Sequence, residues 1–480
     1  HALTRQSGRG ALVITQDEPS AVRLTEDLNR FAQAGAGETP GGCAAVHYPE
    51  REWTLRQVEG VSMEYEHLRL AALGQLAVRP ELVVVASAAA ALQRTLPPEV
   101  LARSTRTIHP GQELPQKELL EFLVWAGYAR CDQVEGVCQF AVRGGILDLY
   151  PPDSPQPLRV EYWGDEIDTI TRFSVETQRR EDPVEELVIP PAREILYTPG
   201  ELADLLEVHL QKLPAKQREA ARAAAQEDLS RLRDGEELAS ADRYLPLLYP
   251  QRTSLLSYLG GRFLAVCEGI AAREAAKAQQ WQEEEDVKIL LEEGAAPPLA
   301  DRLNLGAQDL EALYETVPCA ILDSFPRSYG GMRLGDLVDV TANTLSVWSG
   351  QLDSLVEDLT HYLELHYCVY VLGGTRRGSL ALVTDLEGRG IPARFTQDLS
   401  LFEQGQVFVA PGGLSSGFEY PRLGFACISY GRGGAPAAAP KQRRHKDSGK
   451  AIRDIADLTP GDYVVHVAHG IGIFDGIIKK

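Results

Sequence analysis

The chain holds 480 residues, with 48 Lys and Arg against 68 Asp and Glu, for a formal net charge of −20. A protein that grips duplex DNA through many phosphates carries a basic surface, so this balance argues against broad DNA binding and for an acidic module that docks on proteins. The length allows about three or four domains, and no apolar run approaches the roughly 18 residues that would span a bilayer, which predicts no membrane contact.

Residues 1–113 alternate strand and helix. Residues 11–15 read as a buried strand and 20–34 as an amphipathic helix carrying Val22, Leu24, Leu28 and Phe31. A second strand follows at 43–47, a second helix at 61–76 and a third strand at 81–86, a parallel α/β layer of Rossmann type. A phosphate loop after the first strand would need glycines for close backbone approach and a Lys for the phosphates. No GxxxxGK(S/T) occurs anywhere in the chain, and the nearest fragment, Ser7-Gly8-Arg9-Gly10, lies before the strand instead of after it. This domain reads as a scaffold.

Residues 114–196 change period. A helix over 116–128 shows an apolar side of Leu119, Leu120, Phe122, Leu123 and Trp125. Short strands then follow at 140–143, 146–150, 158–163 and 167–173, punctuated by Gly144-Gly145, Pro151-Pro152 and Gly164-Asp165. Period two places Arg159, Glu161 and Trp163 on one face, and Val160 and Tyr162 on the other. Arg143 opposes Val142 on its own strand and joins the polar face. Two readings of that face stand. One is a solvated set of cross-strand ion pairs worth about 0.2–1 kcal/mol each. The other is a protein-binding patch, because Trp and Arg are enriched at interface hot spots.

Residues 197–340 read as mostly helical, with helices at 200–213, 215–233 and 271–284 and a strand at 263–267. They are read as completing the first domain, with the second inserted in it; a separate helical domain is the alternative. The run Glu283 to Asp286 reads as a solvated helix face. Residues 341–432 form a further α/β domain, with helices at 352–365 and 379–386 and strands at 367–372, 393–395, 407–410 and 426–430. The stretch from Gly373 to Ser379 has the glycine spacing of a phosphate loop, but Ser379 stands where Lys is required, so it reads as a strand-to-helix turn. Residues 433–457 read as a linker, whose basic run Lys441, Arg443, Arg444, Lys446 and Lys450 is either a solvated tether or a contact to DNA or to another protein.

Chemistry is sparse. Seven cysteines (Cys43, Cys131, Cys138, Cys267, Cys319, Cys368 and Cys427) are odd in number and show no CxxC spacing, which argues against a zinc site or a disulfide framework and for the reducing cytoplasm. His466 and His469 are three apart in a strand and make a poor metal pair. Nucleophile elbows, HExxH and motor motifs are absent from the sequence. The expectation is a chain without catalytic residues, cofactor or metal.

The strings FAVRGGILDLYPP at 140–152, PLRVEYWGDEIDTITRF at 157–173 and TQR at 177–179 together resemble the second domain of bacterial transcription-repair coupling factors, a domain shared with the excision-repair helicase subunit UvrB. The resemblance implies that this domain binds the damage-recognition protein UvrA, through Arg143, Arg159, Glu161 and Trp163. Likewise GDYVVHVAHGIGIFDG at 461–476 resembles the first strands of the small barrel by which coupling factors hold RNA polymerase. On this resemblance the chain is expected to be the N-terminal part of such a factor. Its fold is then multidomain α/β: a Rossmann-like first domain without a phosphate loop, an inserted β-rich α+β domain, a second α/β domain, and the start of a barrel within 458–480. ATP binding and DNA contact are assigned by the resemblance to a motor further along. Two alternatives stay open, a UvrB-like ATP-dependent helicase subunit and a transcription regulator that binds RNA polymerase only.

Overall fold

A computed structural model describes residues 2–34, 45–57, 62–329, 332–348, 352–429, 463–466 and 470–473. The expected linker over 433–457, Cys43 and His469 lie outside these residues. The described chain is mixed α/β with several sheets.

Five parallel strands form the first sheet, in the spatial order Cys319–Leu322, Phe263–Cys267, Ala11–Thr15, Val83–Ser87, Ala45–Tyr48. Its central strands are covered on both faces, which is why they are apolar throughout instead of alternating. Ala11 and Val13 pack with Ala21, Leu24 and Leu28 of the helix Glu18–Ala34. Leu12 and Ile14 face a larger core built from Leu70 and Leu73 of Glu64–Val78 and from Leu202, Leu206 and Leu210 of Pro199–Lys212. The chain leaves this sheet after Ser87, builds a second sheet, and returns to pair Phe263–Cys267 with Ala11–Thr15. At the neck of the excursion, Arg106–Ile108 pairs antiparallel with Leu187–Ile189.

Buried charge ties the return to the first sheet. Glu194, just past the neck, pairs with Arg69 at 2.6 Å, and Arg69 also donates to Gln93 at 2.8 Å and stacks 4.3 Å over the Tyr48 ring. Arg51 reaches Asp242 at 2.8 Å and Glu194 at 3.4 Å, while Glu66 accepts the Glu194 backbone N–H. Burial, with Glu194 and Asp242 close by and Arg51 opposing them, pushes the Glu66 carboxyl up to about 7.

The charge run on the helix Gly269–Glu292 departs from expectation. Glu283 is buried and accepts the backbone N–H groups of Leu303 and Asn304, so it fastens the loop after the helix. Glu284 and Asp286 are exposed and behave as a solvated face should.

The second sheet has six strands in the order Arg180–Pro183, Glu166–Phe173, Leu158–Trp163, Ile146–Leu149, Gln139–Arg143, Ala129–Arg130. All neighbours are antiparallel except the last pair. Phe140, Leu147, Leu149, Val160 and Ile170 pack with Leu119, Phe122 and Leu123 of the helix Gln116–Trp125. Among the described residues no helix packs on the opposite face. It keeps a small apolar floor of Val134, Ala141 and Phe173, and the polar residues stand around that floor.

A third sheet, in the order Asn343–Leu345, Gly417–Tyr420, Phe425–Ser429, Cys368–Leu372, Val407–Ala410, Ala393–Phe395, is parallel except that Gly417–Tyr420 runs antiparallel to both its neighbours. It meets the first unit where the Ser415 N–H and hydroxyl donate to the Asp27 carboxylate, at 2.9 and 2.5 Å. Tyr463–His466 and Gly470–Ile473 form an antiparallel pair.

Candidate partner-binding face

Register builds the polar face of the second sheet. Ala141, Asp148, Arg159 and Thr171 oppose one another in one cross-strand row, and Arg143, Ile146, Glu161 and Thr169 form the next. Tight turns set these rows: Gly144 and Gly164 take φ of +60° and +65°, in the left-handed region that a Cβ disfavours. Trp163 ends its strand opposite Glu166, at the tip of the hairpin.

The four residues singled out by sequence share this face of the sheet but differ in environment. Arg159 is nearly buried. Its Nε and Nη2 donate to Oδ1 and Oδ2 of Asp148 at 2.7 and 2.9 Å, its Nη1 donates to the Gln178 carbonyl at 3.3 Å, and its guanidinium lies 4.7 Å over the Phe173 ring. The Asp148 hydrogen bonds push the Arg159 guanidinium pKa further up, holding it charged. Arg143 is half exposed and donates from Nη2 to Asp148 Oδ2 at 2.6 Å. Glu161 is paired with Arg180 and accepts from the Thr169 hydroxyl. Trp163 is 82% exposed. As expected, Val160 and Tyr162 belong to the opposite, helix-covered side.

Sequence reasoning missed Asp148. Its relative exposure is 1%, yet its carboxylate serves both Arg143 and Arg159. A carboxylate flanked by Leu147 and Leu149 within a strand was the available signal.

Two strand-to-helix connections stand where a phosphate loop could form. After Ala11–Thr15 the helix starts within three residues, and Asp17 Oδ1 accepts the Ser20 N–H at 2.8 Å. Hydrogen bonds from Ser20 hold the Asp17 carboxyl below its usual range. A carboxylate thus occupies the helix end where a phosphate loop seats its anion, and these residues do not fit a nucleotide. In the Gly373–Ser379 turn, Gly373 and Gly374 donate to Ala410 and Gly412, Thr375 caps the helix, and the buried Ser379 hydroxyl bonds the Thr375 and Ala410 carbonyls. This is a strand-to-helix turn closed by its own groups. Among the described residues no group of His, Cys, Asp or Glu could hold a metal ion, and no helix is long and apolar enough to cross a membrane.

Comparison with known proteins bears on the same stretch. Residues 107–195 match the family model for the UvrB interaction domain, and residues 458–480 match that for the CarD-like/TRCF RID domain. Over 488 aligned positions the chain is 30% identical to a transcription-repair-coupling factor of Bacillus subtilis (strain 168), covering 99% of the chain and 40% of that relative. It is 25% identical over 484 positions to the transcription-repair-coupling factor of Staphylococcus aureus (strain USA300), with 98% and 40% covered. The chain spans about two fifths of the length of these relatives.

Proposed function

Because the chain belongs to the transcription-repair-coupling factor family, we propose that it is a non-catalytic adaptor region that recruits UvrA to stalled RNA polymerase. On this reading UvrA is bound by the face formed by Arg143, Arg159, Glu161 and Trp163, and polymerase is engaged through the domain that begins at 458–480. ATP-driven movement on DNA is assigned to the part of the family's length that this chain does not span.

The observation that carries the proposal is the exposed indole of Trp163 at the hairpin tip, within the matched domain and on the same sheet face as the half-exposed Arg143. Trp and Arg anchor interfaces because they remove large area from water and add directed hydrogen bonds. Ion pairing inside the sheet accounts for Arg159 and Glu161, but not for the exposed indole of Trp163.

Calorimetric titration of the chain with UvrA tests this. Trp163→Ala is expected to weaken binding by at least about 2 kcal/mol, roughly 30-fold. Absence of binding by the parent chain, or unchanged affinity in both Trp163→Ala and Arg143→Ala, would overturn it.

A further inference from the structure

Arg143 can bind a partner well only if its side chain is held in place beforehand, because a free guanidinium arm loses considerable rotamer freedom on contact. The means of holding it lies underneath. Asp148 Oδ2 receives Arg143 Nη2 at 2.6 Å and Arg159 Nη2 at 2.9 Å, while Oδ1 receives Arg159 Nε at 2.7 Å. Arg159 is itself fixed by the Gln178 carbonyl and by the Phe173 ring. The buried carboxylate therefore cannot follow Arg143 outward, and Arg143 must come to it. Of the five N–H donors on Arg143, this bond engages one, and the side chain remains half exposed.

We propose that Asp148 is a positioning residue: anchored by Arg159, it pins Arg143 in the pose that presents its remaining donors to acceptors on UvrA. The inference rests on the UvrA-binding reading above and deepens it. It also states the chemistry of the complementary surface. Two cations around one carboxylate leave a net positive charge at Arg143, so the partner atom it meets is a carboxylate or a backbone carbonyl, in planar hydrogen-bonding geometry.

A double-mutant cycle on UvrA binding tests this, using the parent, Arg143→Ala, Asp148→Asn and the double variant, each first shown to be folded by circular dichroism. Asp148→Asn is expected to weaken binding roughly 2- to 10-fold, the loss set by ordering one long side chain. In the Arg143→Ala background the same change should cost nothing further. A merely structural Asp148 would lower the melting temperature and weaken binding equally in both backgrounds. If Asp148→Asn does not fold, Asp148→Glu, which keeps the charge but displaces it by one methylene, goes through the same cycle with the same expectation. Additive losses, or a folded Asp148 variant that binds like the parent while Arg143→Ala does not, would overturn the positioning role and leave the UvrA reading standing. Arg143→Ala binding like the parent would also overturn the positioning role alone, while a parent that does not bind would overturn both.

Discussion

Arg159→Ala separates the part of this face that holds the sheet from the part proposed to meet UvrA. The substitution removes two charge-assisted hydrogen bonds to Asp148 and the guanidinium stacked on Phe173, and leaves a carboxylate of 1% relative exposure with Arg143 as its remaining cation. Breaking a buried pair costs about 3–5 kcal/mol. Because Arg143 stays on Oδ2, the expected loss lies at the low end, about 3 kcal/mol. Global unfolding of a chain with several cores is not a single two-state step, so the loss should be read locally. Hydrogen exchange of peptides covering Leu158–Trp163 and Glu166–Phe173 does this. A loss of about 3 kcal/mol speeds exchange through opening of this sheet roughly 100-fold, while peptides from Ala11–Thr15 keep the parent rate. Trp163→Ala, at an 82% exposed position, should change exchange hardly at all, since surface substitutions stay within about 0.5 kcal/mol, yet should lose UvrA. Exchange in Arg159→Ala within about threefold of the parent, a difference of roughly 0.7 kcal/mol, would show that Asp148 and Arg159 are solvated in solution, and would refute this division of roles.

Two further outcomes follow from buried carboxylates elsewhere. Glu66 titrates near 7 in the fold against an ordinary value of 4.5, so between those values the folded chain holds a proton that the unfolded chain has lost. Stability of the first unit should therefore fall as pH rises from about 4.5 to about 7, by no more than about 3 kcal/mol, and Glu66→Gln should flatten that slope. Urea unfolding at pH 5 and pH 7.5 checks this, and a parent more stable at the higher pH, with no change in the variant, would contradict it. Glu283→Ala strips the acceptor from the Leu303 and Asn304 N–H groups and should cost about 2–3 kcal/mol. The exposed Asp286→Ala should cost less than about 0.5 kcal/mol in the same urea unfolding.

Much of the fold is local and was legible. The runs at 11–15 and 83–87 are too short and too apolar to be anything but strands buried on both faces, and Gly144 and Gly164 mark hairpins because their turns need positive φ. The strand Phe263–Cys267 was expected, but its place beside Ala11–Thr15 is a pairing across some 250 residues that no local pattern reports. The short edge strands Asn343–Leu345 and Cys319–Leu322 were missed, since three or four residues carry too little alternation to stand out. Glu283 is a different kind of miss. Ala276, Glu283 and Leu290 are seven apart and lie on one buried stripe of a long helix, so the period was there to be read, but the neighbouring Glu284, Glu285 and Asp286 concealed it as a charge run.

On the candidate face, the two readings drawn from the sequence divide the residues between them. Ion pairing is a pairwise property, and its partners were out of view: Asp148 sits across the strand from Arg159, and Arg180 reaches Glu161 from the far edge strand. Period two assigns a side chain to a face but says nothing about what lies opposite, which is set by register and by the connection over 150–157. Once register is known, Arg159 and Glu161 are each matched to an opposite charge within the sheet, which limits what they can offer a partner. Arg143 gives one donor to Asp148 and keeps half its surface, and Trp163 keeps most of its own. Any partner that covers this end of the sheet therefore gains chiefly from the indole and the Arg143 guanidinium. Arg159 and Glu161, already paired with Asp148 and Arg180, have less to offer it.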